Sequence, residues 1–459
     1  MLTELKLQNF KSWQDTGMLR LAPLTGLFGS NSSGKTSLLQ FLLLLKQTVE
    51  SPDRSRVLHT GGDERSYVDL GTFYDLVYKH KQPGQINFLL AWTLPKPLRI
   101  ADPERASSNL FRLKSLRFSA KIRVTADHVQ VERLRYTLPG GYNFGMQLQA
   151  EAEPIAKEAY DLFFEGYDLK RTRGRKWPLP PPVKSYGFPD QVNAYYQNAG
   201  FLSEFVLAFE ELFDNIFYLG PLREYPSRSY VWAGERPQDV GRRGQSAVPA
   251  LLASQALGKV IRRGRGRPRQ TVEERVAEWL KDLGLIHSFT LQPIAKNRKD
   301  YEVRVRRSPY AAEVLITDVG FGVSQILPVL VLCYYAPEGS TIILEQPEIH
   351  LHPAVQAGLA DVFIDAINTR KIQIILESHS EHLLRRLQRR IAEASLQPGQ
   401  AALYFTAISN GKSKLEELEL DQFGNINNWP PQFFGDELGD LTAVAEAAIR
   451  RSQTQIPTR

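Results

Sequence analysis

The segment GSNSSGKT, from Gly29 to Thr36, constrains the fold more strongly than any other part of the sequence. It follows the apolar run LAPLTGLFG and precedes SLLQFLLLLKQTVE, so the pattern predicts a strand, a glycine-rich turn and a helix in that order. The spacing G-x-x-x-x-G-K-T in this context is typical of a phosphate-binding loop, in which backbone N–H groups at a helix N-terminus bind anionic oxygens. We therefore predict a nucleotide-binding unit, and Gly29–Thr36 is called the phosphate loop below.

The residues of the phosphate loop have separate predicted roles. Lys35 would contact the terminal phosphates, and the Thr36 hydroxyl would be a ligand of Mg²⁺. ATP is favoured over GTP because the sequence lacks the N-K-x-D element that reads guanine. Phe10 and Trp13, in NFKSW, are candidates to stack on the adenine ring, with core packing as the simpler interpretation of Phe10. The other positions predicted to bind the nucleotide are Gly29, Asn31, Ser32, Ser33, Gly34 and Ser37.

Two later apolar runs end in polar residues that complete a nucleotide site. In STIILEQPE, Glu345 is predicted to hold Mg²⁺, whereas Gln346 stands where a catalytic glutamate is expected. An amide can orient the attacking water but cannot take its proton, so we predict slow hydrolysis with Glu348 as the candidate base. The alternative interpretation of Glu348 is a helix cap or a surface charge. His379, in ILESHS, is predicted to contact the terminal phosphate or the water.

A further glycine-rich turn, GFGVSQ from Gly320 to Gln325, opens an apolar helix and is called the signature turn. Its unpaired N–H groups form a second anion site, which predicts contact with the nucleotide of a second copy in a sandwich dimer. His350, His352 and His382 have spacings that zinc ligands can have. We expect packing or interface roles for these histidines, because no thiolate accompanies them.

Composition narrows the cellular setting and the partners. Cys333 is the only cysteine, which excludes an internal disulfide and fits a reducing cytosol. No signal layout or membrane-spanning run is present, so we predict a cytoplasmic protein with no membrane contact. The formal net charge is +7, with arginine concentrated at 171–176, 262–269 and 385–390. Such clusters suit double-stranded DNA, or else are solvated faces and loops ordered by acidic neighbours.

Together these motifs resemble the ABC-type ATPase heads of the RecF, structural-maintenance-of-chromosomes (SMC) and overcoming-lysogenization-defect (OLD) group. The resemblance is carried by NFKSW, LTGLFGSNSSGKTSLL, DVGFGVSQILPVL, LEQPEIHLHP and LESHSEHLL. The tail LDQFGNINNWPPQFFGDE resembles a short domain of unknown function that follows such heads, and YLGPLREYP resembles part of the same pattern. The resemblance implies a magnesium acid at Glu345, a switch histidine at His379, and Gly322, Ser324 and Gln325 acting across a dimer.

The fold class expected from the resemblance and the hydrophobic periods is α/β, a split ABC-type head. It has a mixed, largely parallel core sheet with helices on both faces, an antiparallel β lobe and an inserted α+β region. The predicted divisions are 1–90 (head with phosphate loop), 91–205 (β-rich lobe and proline-rich linker), 206–310 (connecting segment and basic helical insertion), 311–415 (rest of the head) and 416–459 (tail).

Three departures from the family pattern affect function. The signature turn reads GFGVSQ rather than LSGGQ, Gln346 replaces the usual glutamate, and the chain ends soon after the tail, where OLD proteins continue into a Toprim nuclease domain. We therefore expect no Toprim domain here. Outside the nucleotide elements no compact acid cluster is present, which disfavours a nuclease in its own right.

Two hypotheses of function remain. The first is a homodimeric or higher-order switch that hydrolyses ATP slowly to ADP and phosphate, acts on or senses DNA, and controls a separate effector such as a nuclease in bacterial defence or repair. The second is an ATP-dependent protein-interaction scaffold with negligible turnover. Stimulation of turnover by duplex DNA would favour the switch.

Overall fold

The computed structural model of this chain describes residues 1–102, 105–125, 128–149, 160–174, 178–264, 266, 268–430, 433 and 437–454. Parts of two predicted arginine clusters (175–176, 265 and 267) and part of the tail (431–432, 434–436 and 455–459) lie outside the described residues.

The strands are β1 (Leu2–Phe10), β2 (Trp13–Asp15), β3 (Leu19–Arg20), β4 (Leu24–Gly29), β5 (Gly84–Asp102), β6 (Arg105–Val124), β7 (Val129–Thr137), β8 (Asn143–Leu148), β9 (Tyr160–Glu165), β10 (Ile216–Leu219), β11 (Tyr230–Val231), β12 (Val260–Ile261), β13 (Gln270–Thr271), β14 (Ser288–Pro293), β15 (Asp300–Arg306), β16 (Val314–Leu315), β17 (Thr341–Glu345), β18 (Gln373–Glu377), β19 (Ala401–Ser409) and β20 (Lys412–Glu417). The α-helices are α1 (Lys35–Glu50), α2 (Phe73–Leu76), α3 (Gln191–Tyr195), α4 (Leu202–Asp214), α5 (Ala247–Ala256), α6 (Val272–Asp282), α7 (Phe321–Tyr335), α8 (Pro353–Arg370), α9 (Glu381–Ala392) and α10 (Glu437–Thr454). Three 3₁₀ turns cover Tyr78–His80, Ile316–Asp318 and Pro398–Gln400.

The core sheet has six strands in the order β10-β17-β18-β4-β19-β20. The strands from β10 to β19 pair in parallel, and β20 adds an antiparallel edge. The predicted largely parallel core sheet is therefore confirmed. Its central strand β4 comes from the start of the chain, while its neighbours come from the last half, which is the split that the motif positions predict.

Alternate residues of the core strands face two different hydrophobic cores. Ile343 and Ile375 pack into one core with α1, α4 and the second large sheet. Ile342 and Ile374 point the other way and pack with α7 and α8. Short strands that are apolar on both faces require cover on both sides, and helices supply it here as predicted.

The second large sheet is antiparallel and has the order β2-β1-β5-β6-β7-β8-β9, with β3 also pairing with β1. The predicted β lobe is thus confirmed, but the expected division after residue 90 falls inside β5, so the lobe also includes the first strands of the chain. The prolines of KWPLPPPVK predict loop or linker for residues 150–198, but Tyr160–Glu165 pairs with β8 as an edge strand, so this prediction is wrong. The prolines that suggested a linker lie after this strand.

Helix α7 is apolar all round and lies buried between the core sheet and its neighbouring helices. Its residues from Val323 to Tyr335 are all buried, including Pro328 and the free thiol of Cys333. The segment SFTLQPIAKNRKDYEVRVRR has a pattern that predicts a hairpin, and the antiparallel pair of β14 and β15 confirms it. No helix within the described ranges has both the length and the apolar content needed to cross a membrane.

Gln373, at the start of β18, joins the two large sheets. Its Oε1 accepts hydrogen bonds from Leu2 N (2.9 Å) and Thr341 Oγ1 (3.0 Å), and its Nε2 donates to Leu2 O (2.7 Å) and Ala22 O (3.0 Å). The side chain is 1% exposed, so these groups have no access to water if the amide is removed. This one amide therefore fixes β1 against the core sheet.

Replacing this amide tests the connection. Gln373→Leu should reduce the free energy of unfolding by roughly 3 kcal/mol or more, because it leaves buried backbone groups of Leu2 and Ala22 without partners. Denaturant unfolding measures the change, with Gln147→Leu on the exposed face of β8 as the matched control. Equal, small effects of the two substitutions would contradict the assigned role of Gln373.

Candidate nucleotide-binding site

The carboxyl ends of β17, β18 and β4 meet at one edge of the core sheet. The register pairs Glu345 with Glu377 and Glu377 with Leu27, and β4 runs directly into the phosphate loop. Neighbouring strands lie about 4.8 Å apart, so these three strand ends fall within about 10 Å. The structure therefore brings the phosphate loop to Glu345, which the sequence assigns to magnesium, and also to Glu377.

The backbone of the phosphate loop has a conformation that depends on glycine. Gly29 has φ +133° and Gly34 has φ +100°. A Cβ atom at Gly29 would lie 2.1 Å from Thr406 O, and one at Gly34 would lie 2.6 Å from Ser12 Oγ. Side chains at these positions would push the loop off β19 and off the segment after β1.

Helix α1 begins at Lys35, directly after Gly34, and no side chain in the described chain caps its first turn. Its first N–H groups are therefore available to an anion, and Ser30, Asn31 and Ser32 are exposed beside them. Lys35 Nζ donates to Gly29 O (3.1 Å) and Ser30 O (2.7 Å), so the ammonium lies over the loop. This arrangement fits a polyphosphate.

Oxygen ligands suitable for Mg²⁺ lie beside the lysine. Thr36 Oγ1 donates to Glu377 Oε2 (2.7 Å), and Glu377 Oε1 is 4.0 Å from Lys35 Nζ. Glu345 Oε1 accepts from the Tyr218 hydroxyl (3.1 Å). Burial, reinforced by the charge of Glu377, raises the pKa of Glu345 to about 7. Mg²⁺ prefers such oxygen donors, and Thr36, Glu345 and Glu377 would hold it.

Glu377 is a site residue that the sequence analysis missed. Burial raises the pKa of its carboxyl, while the Thr36 hydroxyl and Lys35 lower it. A signal was present, because the runs IILEQ and IILES end in the same way and place equivalent acids on adjacent parallel strands. Tyr218, at the end of the neighbouring strand β10, was missed as well.

Glu348 lies inside the site rather than on the surface. Its Oε1 accepts from His379 N (2.7 Å), while its Oε2 is buried and has no hydrogen-bond partner in the part of the chain that the structure describes. Burial raises the pKa of the carboxyl. The interpretations of Glu348 as a surface charge or helix cap are wrong, because it is 6% exposed and His352 is the N-cap of α8.

Gln346 and His379 flank this carboxylate. Gln346 has φ +44°, a left-handed conformation that a residue with a side chain adopts only under local constraint, and its N–H donates to Glu377 O (2.9 Å). Burial and the nearby charge of Lys35 lower the pKa of His379, which favours the neutral imidazole at neutral pH. A neutral imidazole both donates and accepts, as a contact to a phosphate or a water requires.

Comparison with known proteins shows the family of the chain. A family model described as "AAA domain, putative AbiEii toxin, Type IV TA system" matches residues 151–385, which is more than half of the chain. The chain belongs to this AAA-domain family. The match includes Glu345, Glu348 and His379. A second model, described as "Protein of unknown function (DUF3696)", matches residues 396–443 and confirms the predicted C-terminal domain of unknown function. No curated protein matches the chain.

Solved structures similar to this AAA-domain chain include SMC heads. An Smc head bound to the C-winged helix domain of ScpA is 10% identical, with 91% of this chain and 98% of that chain covered and a TM-score of 0.45. The SMC head domain from Thermotoga maritima is 11% identical, with 91% and 99% covered and a TM-score of 0.40. An Smc head with an extended coiled coil, bound to the C-terminal domain of ScpA derived from Pyrococcus furiosus, is 10% identical, with 97% and 99% covered and a TM-score of 0.42. The RecF and OLD resemblances remain predictions.

Three residues of the AAA-domain chain lie differently from what the sequence suggested. Phe10 and Trp13 are fully buried: Phe10 packs against Phe41, and Trp13 Nε1 donates to Gly34 O (3.0 Å). The prediction that either ring stacks on adenine is wrong, because neither offers a free face. The Ser33 hydroxyl is buried against Thr406 Oγ1 (2.6 Å), which leaves only its backbone N–H for the nucleotide.

The signature turn lies at the start of α7 and has no hydrogen bond or ion pair to the phosphate loop within the described ranges. Ser324 is 6% exposed and donates to Phe321 O (2.7 Å), and Gln325 is 3% exposed. The Phe321 ring is more open, at 38%, and contacts His350. Gly320 is exposed and Gly322 is partly buried beside Leu285 and Leu351, so the glycines of the turn reach solvent whereas the Ser324 and Gln325 side chains do not.

The histidines whose spacing zinc ligands can have are used differently in the structure. His352 Nδ1 accepts from Ala354 N (3.3 Å) as the cap of α8, and His382 is exposed. The described residues contain no group of three or more histidine, cysteine, aspartate or glutamate side chains that could hold a metal ion. Mg²⁺ at Glu345 and Glu377 would therefore take its remaining ligands from Thr36 and from the phosphates.

The predicted arginine cluster on α9 is neutralised within the chain. Arg386 and Arg390 both pair with Asp361 of α8, and Arg389 pairs with Glu393. Arg385 pairs with Glu381. The interpretation of this cluster as a face ordered by acidic neighbours therefore applies, and its charge is largely cancelled before any nucleic acid approaches.

The buried carboxylate of Glu345 makes stability depend on pH. Its pKa is raised from 4.5 to about 7 in the folded state, so the folded protein holds this proton more tightly than the unfolded chain does. The free energy of unfolding therefore decreases as pH rises through this window. Glu345→Gln keeps an oxygen for the Tyr218 hydroxyl but carries no charge. Without nucleotide and metal, the variant should melt a few degrees above the wild type near pH 8 and close to it near pH 5.

Thermal unfolding by circular dichroism measures this difference. The exposed glutamate Glu204 of α4 provides the control, since Glu204→Gln removes the same charge from solvent and should leave the melting temperature unchanged at either pH. A lower melting temperature for Glu345→Gln near pH 8 would show that the ionised carboxylate stabilises the fold.

Proposed function

We propose that this chain is an ATP-dependent switch that binds Mg²⁺·ATP at the phosphate loop and hydrolyses it slowly. The observation that carries the proposal is the convergence of Lys35, Thr36, Glu345, Glu377 and His379 at one sheet edge. Open N–H groups at α1 and a buried lysine suit the phosphates, while paired carboxylates suit the metal. Membership of the AAA-domain family supports nucleotide use.

The proposed base for hydrolysis is Glu348. Water attacks the terminal phosphorus, the bond to the bridging oxygen of ADP breaks, and the water proton passes to the free Oε2 of Glu348. The backbone N–H of His379 fixes the other oxygen, which orients the carboxylate. Its raised pKa makes Glu348 a stronger base than an exposed glutamate, whereas the Gln346 amide cannot take a proton. The amide at position 346 agrees with slow turnover.

We also propose that the signature turn contacts the nucleotide of a second copy. The N-terminal end of α7 presents backbone N–H groups, and the exposed rings of Phe321 and Tyr225 lie together with centroids 5.4 Å apart. Exposed aromatic rings next to an anion-binding helix end suit burial in a homodimer or higher oligomer. In that assembly Gly322 supplies the close approach, with Ser324 and Gln325 supporting the turn from inside.

The proposed partners are double-stranded DNA and a separate effector such as a nuclease. Because the α9 arginines are paired internally, DNA contact would depend on the basic segments 171–176 and 262–269. That same neutralisation favours the second candidate function, an ATP-dependent protein scaffold with negligible turnover. Salt-sensitive stimulation of ATP turnover by duplex DNA supports the switch, whereas ATP-dependent dimers without stimulation support the scaffold.

Lys35→Ala tests the nucleotide site itself. The substitution removes the ammonium that faces the terminal phosphates, so ATP affinity should fall at least about 100-fold while the fold is retained. Isothermal titration with Mg²⁺·ATP measures affinity, and circular dichroism checks the fold. The partly exposed Lys6, on the β lobe, gives the control Lys6→Ala, which should bind normally. Normal binding by Lys35→Ala would refute the assigned site.

Glu348→Gln tests the proposed base. We expect turnover to fall by about 100-fold with ATP affinity retained, because the amide keeps the hydrogen bond from His379 N but cannot take a proton. Steady-state phosphate release measures the change under saturating ATP. Turnover equal to that of the wild type would show that Glu348 is not the base. The proposal that the chain binds ATP would still stand.

A further inference from the structure

Arg223 is a buried arginine whose guanidinium has no hydrogen-bond partner within the described ranges. It lies just after β10, in the segment GPLRE, and is 5% exposed. Its Nε, Nη1 and Nη2 atoms are all buried, and none of them has a hydrogen-bond partner among the residues that the structure describes. A desolvated guanidinium with five unused donors is strongly unfavourable unless an anion completes it.

The groups that face Arg223 belong to the nucleotide site. Strand β10 pairs with β17 in parallel, with Leu219 opposite Leu344, so the segment that carries Arg223 starts beside Glu345. The charges that act on the guanidinium are those of Tyr218, Glu348 and Glu345, while burial lowers its pKa to about 10. Arg223 therefore stays positively charged at neutral pH.

The acids do not satisfy the arginine. Glu345 Oε1 is bonded to the Tyr218 hydroxyl and Glu348 Oε1 to His379 N. Glu348 Oε2 is itself buried and unpartnered, yet no ion pair joins it to Arg223 in the described part of the chain. Unused donors and an unused acceptor thus flank the same region, which is the arrangement that an anion and the water attacking it require.

The segment is also held in place. Gly220 N donates to Arg242 O (2.9 Å), and Glu224 N donates to Arg243 O (2.8 Å), so both sides of Arg223 are anchored to one loop. That loop is fixed in turn, because Gly244 lies against Pro328 of α7. The guanidinium is therefore preorganised at the site rather than free to turn towards solvent.

We infer that Arg223 binds the terminal phosphate of the ATP held by its own chain, an inference that rests on the proposed function. Lys35 approaches the phosphates from the phosphate loop, and Arg223 approaches from the β10 side of the acids. A planar guanidinium can form two parallel hydrogen bonds to phosphate oxygens, which an ammonium cannot. The residue thereby recognises the third phosphate, which ADP lacks.

Affinities for Mg²⁺·ATP and Mg²⁺·ADP, measured by isothermal titration, test the inference. Arg223→Met should weaken ATP binding by about 10- to 100-fold and change ADP binding by less than about two-fold. The ATP affinity of Arg223→Lys should lie between those of the wild type and Arg223→Met, because lysine keeps the charge but cannot form the two parallel hydrogen bonds. Arg117→Met, at an exposed arginine paired with Glu4, removes the same charge and should alter neither affinity.

Thermal unfolding without nucleotide separates recognition from a structural role. Because the buried charge has no hydrogen-bond partner among the described residues, Arg223→Met should melt at the wild-type temperature or above it. Equal weakening of ATP and ADP binding, or no weakening, would overturn the inference while leaving the nucleotide site intact. Normal ATP binding by Lys35→Ala would instead overturn the proposed function. If Arg223→Met does not fold, the structural role is indicated and the inference fails, unless Arg223→Lys folds and loses ATP affinity selectively.

Discussion

Two carboxylates, Glu345 and Glu377, stand side by side on adjacent parallel strands at a buried sheet edge. Burial and, at Glu345, the like charge of its neighbour raise their pKa values, so the nucleotide-free edge is electrostatically unfavourable. Three neighbouring groups stabilise the two carboxylates. Thr36 donates to Glu377, Tyr218 donates to Glu345, and Lys35 lies 4.0 Å from Glu377. A divalent cation would relieve the repulsion more completely than any of them.

The same constraint explains why the site suits a metal-bound polyphosphate. Cations stand on both sides of the acids, with Lys35 on the phosphate loop and Arg223 after β10, and the open end of α1 adds its N–H groups. Such an arrangement suits an anion of high charge that binds together with its metal. The raised pKa values of the two acids mark this edge as a locally unfavourable part of the fold, and the Gln373 amide and the two hydrophobic cores stabilise the fold elsewhere.

Local signals predicted the parts of the site that a short segment encodes. The phosphate loop and Glu345 follow from motif spacing and apolar runs, and the parallel sheet follows from strands that are apolar on both faces. Glu377 and Tyr218 were missed because their roles come from strand register, which pairs residues far apart in the chain. Trp13 was misplaced because burial against Gly34 is a tertiary contact. Arg386 and Arg390 of α9 form ion pairs with Asp361 on α8, and a charge count along the sequence does not show this contact.

Binding of Mg²⁺·ATP at one sheet edge can be tested by a crystal structure with Mg²⁺ and a non-hydrolysable ATP analogue. We expect the triphosphate over Gly29–Thr36, with the metal at Thr36, Glu345 and Glu377. A nucleotide bound elsewhere on the chain, or an edge that stays empty at saturating analogue, would contradict it.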